Sequence, residues 1–279
     1  MVNCSLSVSA RCDLSLLKGL VLDIDGVLYE GDRALPGAVE LINHLNRKKI
    51  AYTLLSNNST QRIREHKSKL DDFGMHVAIE KIITGAIIAS KVLSTEAQKG
   101  SRCLVVGEEG LVEALEWAGF EVTQNDYHDI RYVVVGMDRT FNYEKLLTAS
   151  RAIQRGAQLI SSNPDPVYPA GNELIPASGA IQAAIEISSG CKARVTGKPE
   201  AYGYHLALEK LGLPAEMVGM VGDQPKTDHL GAQQVGMKCL LVFSSLTTWH
   251  LTEDSGVQVD GIYKSTLDFY KDWIRQGKH

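Results

Sequence analysis

The 279-residue sequence contains no apolar run near the roughly 18 residues that cross a bilayer, so no membrane span is expected. Positive charge is not in excess: 29 Lys and Arg face 33 Asp and Glu, and with no basic stripe the chain is not expected to bind nucleic acid. The five cysteines, Cys4, Cys12, Cys103, Cys191 and Cys239, are scattered, odd in number and without metal-site spacing. They read as reduced thiols of a cytoplasmic protein. The eight histidines include no H-x-x-x-H pair, which removes the usual zinc pattern. Low-complexity tracts and tandem repeats are missing too. Residues 1–17 lack both a basic start and a sustained hydrophobic core, so they read as a loose N-terminal extension rather than a signal peptide.

What is present is an alternation of buried-strand and helix patterns. The chain is organised around Gly19-Leu20-Val21-Leu22-Asp23-Ile24-Asp25-Gly26-Val27-Leu28, an apolar run that ends in two acids. Such runs form central parallel strands, and open α/β sheets bind ligands at the carboxyl ends of those strands. Two acids facing an anionic substrate would need a cation, and carboxylates are the hard ligands that Mg²⁺ takes. A ribose ligand or a turn former is the plainer reading of the pair.

Pro36-Gly37 opens a helix, and Ile50 to Leu55 is a strand that stops at Ser56-Asn57-Asn58-Ser59-Thr60, where Ser59 or Thr60 is expected to cap the next helix. A short strand near Lys81–Thr84 and a helix from Ala86 follow. A second alternating series then runs through strands at Cys103–Val106, Tyr132–Val135 and Gln158–Ser161, with helices at Leu111–Ala118, Tyr143–Arg155 and Gly179–Ser188. From Arg194–Thr196 the first pattern is expected to resume, through strands at Met217–Val221 and Cys239–Phe243 to a terminal helix. The pattern predicts an α/β fold: a doubly wound, Rossmann-like parallel-sheet core interrupted by an inserted α/β module. The expected boundaries are core residues 18–98, an insertion at 99–191 and core residues 192–279.

Three further strand ends or loops carry polar groups. Ser56 and Asn57, beside the free N–H groups of a helix start, can cradle phosphate, or simply cap the helix. Thr196-Gly197-Lys198-Pro199-Glu200 brackets one lysine between a glycine and a proline, which aims an ammonium inward or leaves it solvated. Val221-Gly222-Asp223 through Thr227-Asp228 repeats the opening theme, and Asp223 would complete a metal site, with Asp228 on a metal-held water or steadying the loop.

These four segments, Asp23-Ile24-Asp25-Gly26-Val27-Leu28, Ser56-Asn57-Asn58, Gly197-Lys198-Pro199 and Gly222-Asp223 through Thr227-Asp228, resemble the four motifs of the haloacid dehalogenase-like superfamily. Over about residues 18–275 the chain is similar to its NagD-like, 4-nitrophenylphosphatase-like class, whose class II cap is inserted between the second and third motifs. The resemblance implies a Mg²⁺-dependent hydrolase of small phosphomonoesters, such as sugar phosphates or nucleotides, working through an aspartyl-phosphate. It implies Asp23 as nucleophile, Asp25 as general acid and base, and Ser56, Asn57 and Lys198 on the phosphoryl oxygens. The Mg²⁺ ligands it implies are the Asp23 side chain, the Asp25 backbone carbonyl and Asp223, with Asp228 supporting through water. Asn58 and, from the cap loop Asn163–Pro169, Tyr168 are the expected substrate contacts; a proline-stiffened surface turn is the plainer reading of that loop. Homodimerisation through the cap is common in similar proteins.

The fourth motif departs from the class pattern, because Gln224-Pro225-Lys226 intervene and His229 replaces an aliphatic residue. Lys226 can also pair with an acid there. Asp138 and Asp165 fit the class pattern without a derived role. Trp117, Trp249 and Trp273 read as packing residues, and Gly107-Glu108-Glu109-Gly110 is too acidic and short for a dinucleotide loop. The rival readings are a metal-free dehalogenase, a phosphotransferase or mutase, and a non-catalytic phospho-ligand-binding or regulatory protein on the same fold.

Overall fold

The computed structural model describes residues 12–170, 173–244 and 257–277. Cys4, Trp249 and the first eleven residues of the expected extension lie outside them. The described residues fall into two compact units, one drawn from those up to Leu55, Lys67–Ile82 and those from Tyr204 onward, the other from Ser56–His66 and those between Ile83 and Gly203.

In chain order the first elements are β1 (Gly19–Leu22), the short β2 (Tyr29–Glu30) and β3 (Arg33–Ala34), α1 (Ala38–Lys48), β4 (Ala51–Ser56), α2 (Ile63–Asp72), β5 (Ile82–Thr84) and α3 (Gly85–Glu96). Next come β6 (Arg102–Val106), α4 (Glu109–Trp117), β7 (Glu121–Thr123), β8 (Tyr132–Val135), α5 (Tyr143–Gln154) and β9 (Gln158–Ser161). They are followed by β10 (Val167–Ala170), β11 (Glu173–Pro176), α6 (Ser178–Ser189), β12 (Arg194–Val195) and α7 (Ala201–Leu211). The chain ends with β13 (Val218–Gly222), α8 (Leu230–Gln234), β14 (Lys238–Val242), β15 (Gly261–Tyr263) and α9 (Thr266–Gln276).

A six-stranded sheet in the order β15-β14-β13-β1-β4-β5 is the frame of the first unit. All four residues of β1 are buried, as a strand covered on both faces must be. It pairs parallel with β13 on one side, Leu22 opposite Val221, and with β4 on the other, Leu22 opposite Leu54. The chain leaves β1 for β4 in one direction and later returns to β13 on the opposite side. This reversal of strand order is the switch point at which ligands bind in open α/β sheets. On α1 the buried residues Ala38, Leu41, Ile42 and Leu45 recur at helical spacing. Gly37, at φ +86°, precedes it where a Cβ would stand 2.4 Å from the Cα of Leu267, so only glycine lets α9 come this close.

The second unit holds a five-stranded parallel sheet, β12-β9-β8-β6-β7, and the antiparallel hairpin β10–β11. Alternate residues of β6 enter different cores. Cys103 and Val105 pack with Ala86, Ala89 and Leu93 of α3 and Leu111 and Leu115 of α4, whereas Leu104 and Val106 pack with Ala149, Ala152 and Ile153 of α5 and Ile185 of α6. The two-residue period of a strand thus clothes both faces with helices.

Three local expectations change. Arg194–Val195 does not rejoin the first sheet; it pairs with β9, Arg194 opposite Ile160, at the edge of the five-stranded sheet. Ser59 and Thr60 do not cap α2, which begins only at Ile63; the Glu65 carboxylate accepts from the Arg62 N–H at 2.8 Å instead. The loop expected at Asn163–Pro169 runs into strand β10, because Val167–Ala170 finds a partner in β11.

Candidate active site

The first unit gathers three acids at its switch point. The N–H of Asp23 donates to the Val221 carbonyl at 2.9 Å, extending the β1–β13 pairing by one step before the chain turns. The turn is closed by the Gly26 N–H on the Tyr29 carbonyl and the Leu28 N–H on the Ile24 carbonyl, both at 2.9 Å. Carboxylate oxygens of Asp23, Asp223 and Asp228 come within 4.8 Å of one another, and the three residues are only 5%, 1% and 0% exposed.

Three charges so placed repel by roughly 3 kcal/mol per pair at an effective dielectric of about 20. Buried acids hold such an arrangement when a cation offsets them. The donor set is entirely hard oxygen, which suits a divalent cation such as Mg²⁺, Mn²⁺ or Ca²⁺. Gly26 supports the fit, since a Cβ there would fall 2.4 Å from Asp223 Oδ2 and push that carboxylate out of place.

Asp25 stands outside the buried trio with its side chain exposed to solvent. Burial, and after it the charges of Asp25 and Asp23, push the Tyr29 phenol well above its ordinary pKa. Asp223 Oδ2 accepts from the Ser244 hydroxyl at 2.5 Å, and Asp228 Oδ2 accepts from the Gln224 N–H at 3.0 Å. Lys226 is exposed at the surface of this turn.

The second unit builds a different constellation. Asn57 is 8% exposed and meets the Lys198 backbone as one peptide group meets another: its Oδ1 accepts from the Lys198 N–H at 2.8 Å and its Nδ2 donates to the Lys198 carbonyl at 3.1 Å. The same Nδ2 donates to Asp165 at 3.1 Å, which gives that acid a position in the structure. Lys198 is 2% exposed, so Asn57 fixes the backbone of a buried cation. Gly197 permits this, because a Cβ would lie 2.3 Å from the Ser162 carbonyl oxygen. Ser56 Oγ accepts from the Asn58 N–H at 3.0 Å, and Asn58 Oδ1 accepts from the N–H and hydroxyl of Thr60 at 2.9 and 2.8 Å. Asn58 thus closes its own turn.

Tyr168 lies on β10 opposite Ile175 and is half-buried. Arg139 is near enough to feel it: hydrogen bonds to Glu108 raise the guanidinium pKa first, and Tyr168 adds a minor push. Asp138 is buried and holds Lys145 at 2.5 Å and the Thr140 N–H at 2.9 Å, which explains it as a loop-former.

Comparison with known proteins decides the family. The model of the haloacid dehalogenase-like hydrolases matches residues 20–121, and a HAD-hydrolase-like model matches residues 195–268. An acid sugar phosphatase of Staphylococcus aureus (strain USA300) is 35% identical over 240 residues, 86% of this chain and 92% of that protein. The chain belongs to the haloacid dehalogenase-like hydrolases. Among solved structures of similar proteins, a 4-nitrophenylphosphatase from Thermotoga maritima superposes with a TM-score of 0.86 at 29% identity, covering 94% of this chain and 99% of that one. NagD from E. coli K-12 gives 0.81 at 31% identity, covering 90% and 98%.

Sequence reasoning missed two residues that shape the acidic cluster of this haloacid dehalogenase-like hydrolase. Ser244 follows the apolar strand β14, and the rule that singled out the other strand ends, polar groups just past a buried run, would have found it. Tyr204 sits inside α7 and is 0% exposed. Its hydroxyl donates to the carbonyls of Thr227 and Asp228, and no local pattern announces such a bond.

Proposed function

We propose that this protein is a Mg²⁺-dependent phosphatase that hydrolyses a small phosphomonoester through an aspartyl-phosphate. The observation that carries the reading is the buried trio Asp23, Asp223 and Asp228, whose oxygens lie within 4.8 Å; Asp23 and Asp223 follow the ends of adjacent parallel strands and Asp228 sits in the π turn after the second. Asp23, Asp223 and the Asp25 backbone carbonyl are assigned as ligands, with Asp228 acting through water. The cation offsets the negative charge that would otherwise hold phosphate away from an aspartate nucleophile.

In the proposed reaction Asp23 attacks phosphorus as the bond to the leaving oxygen breaks, and Asp25 gives that oxygen its proton. Water then attacks the acyl-phosphate, Asp25 takes the water's proton, and the Asp23 carboxylate and inorganic phosphate are released. The exposure of the Asp25 side chain suits a group that must exchange protons with solvent. Ser56, Asn57 and Lys198 are assigned to the phosphoryl oxygens, where fixed donors and a buried ammonium stabilise developing charge. Asn58 and Tyr168 are assigned to the rest of the substrate, and residues 99–191 to the cap that carries Tyr168.

Sugar phosphates head our list of substrates, because the Staphylococcus relative bears that name. We place the protein in the cytoplasm, on the scattered, unpatterned cysteines. The test is phosphate release from 4-nitrophenyl phosphate and a panel of sugar phosphates and nucleoside monophosphates, ranked by kcat/KM. Hydrolysis across the panel with a preferred sugar phosphate supports the proposal. A folded, metal-binding protein that turns over none of them would instead be a phospho-ligand-binding protein.

A further inference from the structure

The turn between Asp223 and Asp228 is held from outside by side chains that have no part in the proposed chemistry. Pro225–His229 forms a single turn of π-helix, closed by the Leu230 N–H on the Pro225 carbonyl. A π turn is wider than an α turn, and its carbonyls fall out of line with the amides that an α-helix would offer them. Three successive carbonyls of this turn are met by side chains from outside it. Tyr204 shares its hydroxyl proton between the carbonyls of Thr227, at 2.7 Å, and Asp228, at 2.9 Å. Cys239 donates its thiol to the His229 carbonyl at 3.4 Å, and burial pushes that thiol up to about 12, which keeps it a donor.

His229 ties the far end of the turn back to its start. Its Nε2–H donates to the Gly222 carbonyl at 3.2 Å, on the residue immediately before Asp223. The Asp228 carboxylate also reaches back, and a Cβ on Gly222 would lie 2.4 Å from its Oδ2. Tyr204, Asp228 and His229 are all 0% exposed. Polar groups buried this deeply need hydrogen-bond partners, and the hydroxyl of Tyr204 and the ring of His229 find them on this turn and the residue before Asp223. An aliphatic side chain at position 229 would fill the same space but could not donate to Gly222.

We propose that Tyr204 and His229 are positioning residues that lock the π turn so that the Asp223 and Asp228 carboxylates are set for a divalent cation. The inference rests on the metal-dependent reading above. Outer-shell partners of this kind typically govern metal affinity by about ten- to hundred-fold.

The experiment is Mn²⁺ binding to the full chain, with free ion read by EPR, in the wild type and in His229→Leu, His229→Gln and Tyr204→Phe. His229→Leu should weaken binding by about ten- to hundred-fold. His229→Gln, which keeps an N–H donor, should recover most of the loss. Tyr204→Phe removes one oxygen, should also weaken Mn²⁺ binding, and carries the test if the leucine variant does not fold. Wild-type affinity in folded His229→Leu and Tyr204→Phe overturns the proposal, as does an equal loss in the leucine and glutamine variants. A wild type that hydrolyses no phosphomonoester while the variants lose Mn²⁺ as described sinks the phosphatase reading and upholds the positioning one.

Discussion

Gly26 and Asp223 occupy one space: a Cβ on Gly26 would stand 2.4 Å from Asp223 Oδ2, and Gly26 itself sits at φ +83°. Substitution therefore meets both backbone strain and a collision with an acid of the buried trio. Gly26→Ala is expected to lower kcat/KM by about a hundredfold, the upper range for disturbing a metal site's support, and to weaken divalent-cation binding. Steady-state kinetics with a metal titration checks this, and an alanine variant with wild-type metal affinity would contradict it.

Asp223→Asn and Asp228→Asn each remove one charge from the cluster while keeping its shape. Asp223→Asn is expected to raise the Mg²⁺ concentration needed for half-maximal activity by more than Asp228→Asn does, since Asp228 is assigned to act through water. Titrating activity with MgCl₂ gives the order, and the reverse order would exchange the two roles.

Asn57 fixes the Lys198 backbone through two bonds, of 2.8 and 3.1 Å. Asn57→Ala should cost about 10² in kcat, as a misplacement of a positioned group by about 1 Å does, with the fold retained. Equal activity in the alanine variant, with CD unchanged, would remove Asn57 from the phosphate-binding set.

Glu186 supplies a pH test in the second unit. Burial of its side chain opposes ionisation, but hydrogen bonds from Lys192, the Ala193 N–H and Gln182 outweigh it and hold the carboxyl down at about 2. A carboxyl depressed in the folded state stabilises above its ordinary value of 4.5, and that contribution fades as pH falls towards 2. The Tm of Glu186→Gln should therefore lie a few degrees below wild type at pH 7 and converge with it in acid. A gap that stays constant from pH 7 to pH 3 would contradict the assignment.

The core strands were legible because burial on both faces forces uninterrupted apolar runs, as in Gly19–Leu22 and Tyr132–Val135. The acids Asp23 and Asp223 were legible for the same reason, as sudden charges ending such runs. The strands β2, β3, β7 and β15 span only two or three residues, too few for any period to register. Arg194–Val195 was misplaced because a two-residue strand carries no mark of which sheet it joins; pairing with β9 is a tertiary choice. The π turn was hidden too. Gln224-Pro225-Lys226 and His229 stood out as departures, but their meaning depends on Tyr204 and Cys239, which come from distant parts of the chain.

The measurement closest to the central claim is phosphate release from 4-nitrophenyl phosphate by wild type and Asp23→Asn, each with Mg²⁺ and with chelator. Release by the wild type with Mg²⁺ is expected, with none in chelator and none above background from a folded Asp23→Asn protein. Turnover by Asp23→Asn near the wild-type rate, or turnover that survives complete removal of divalent cations, would contradict it.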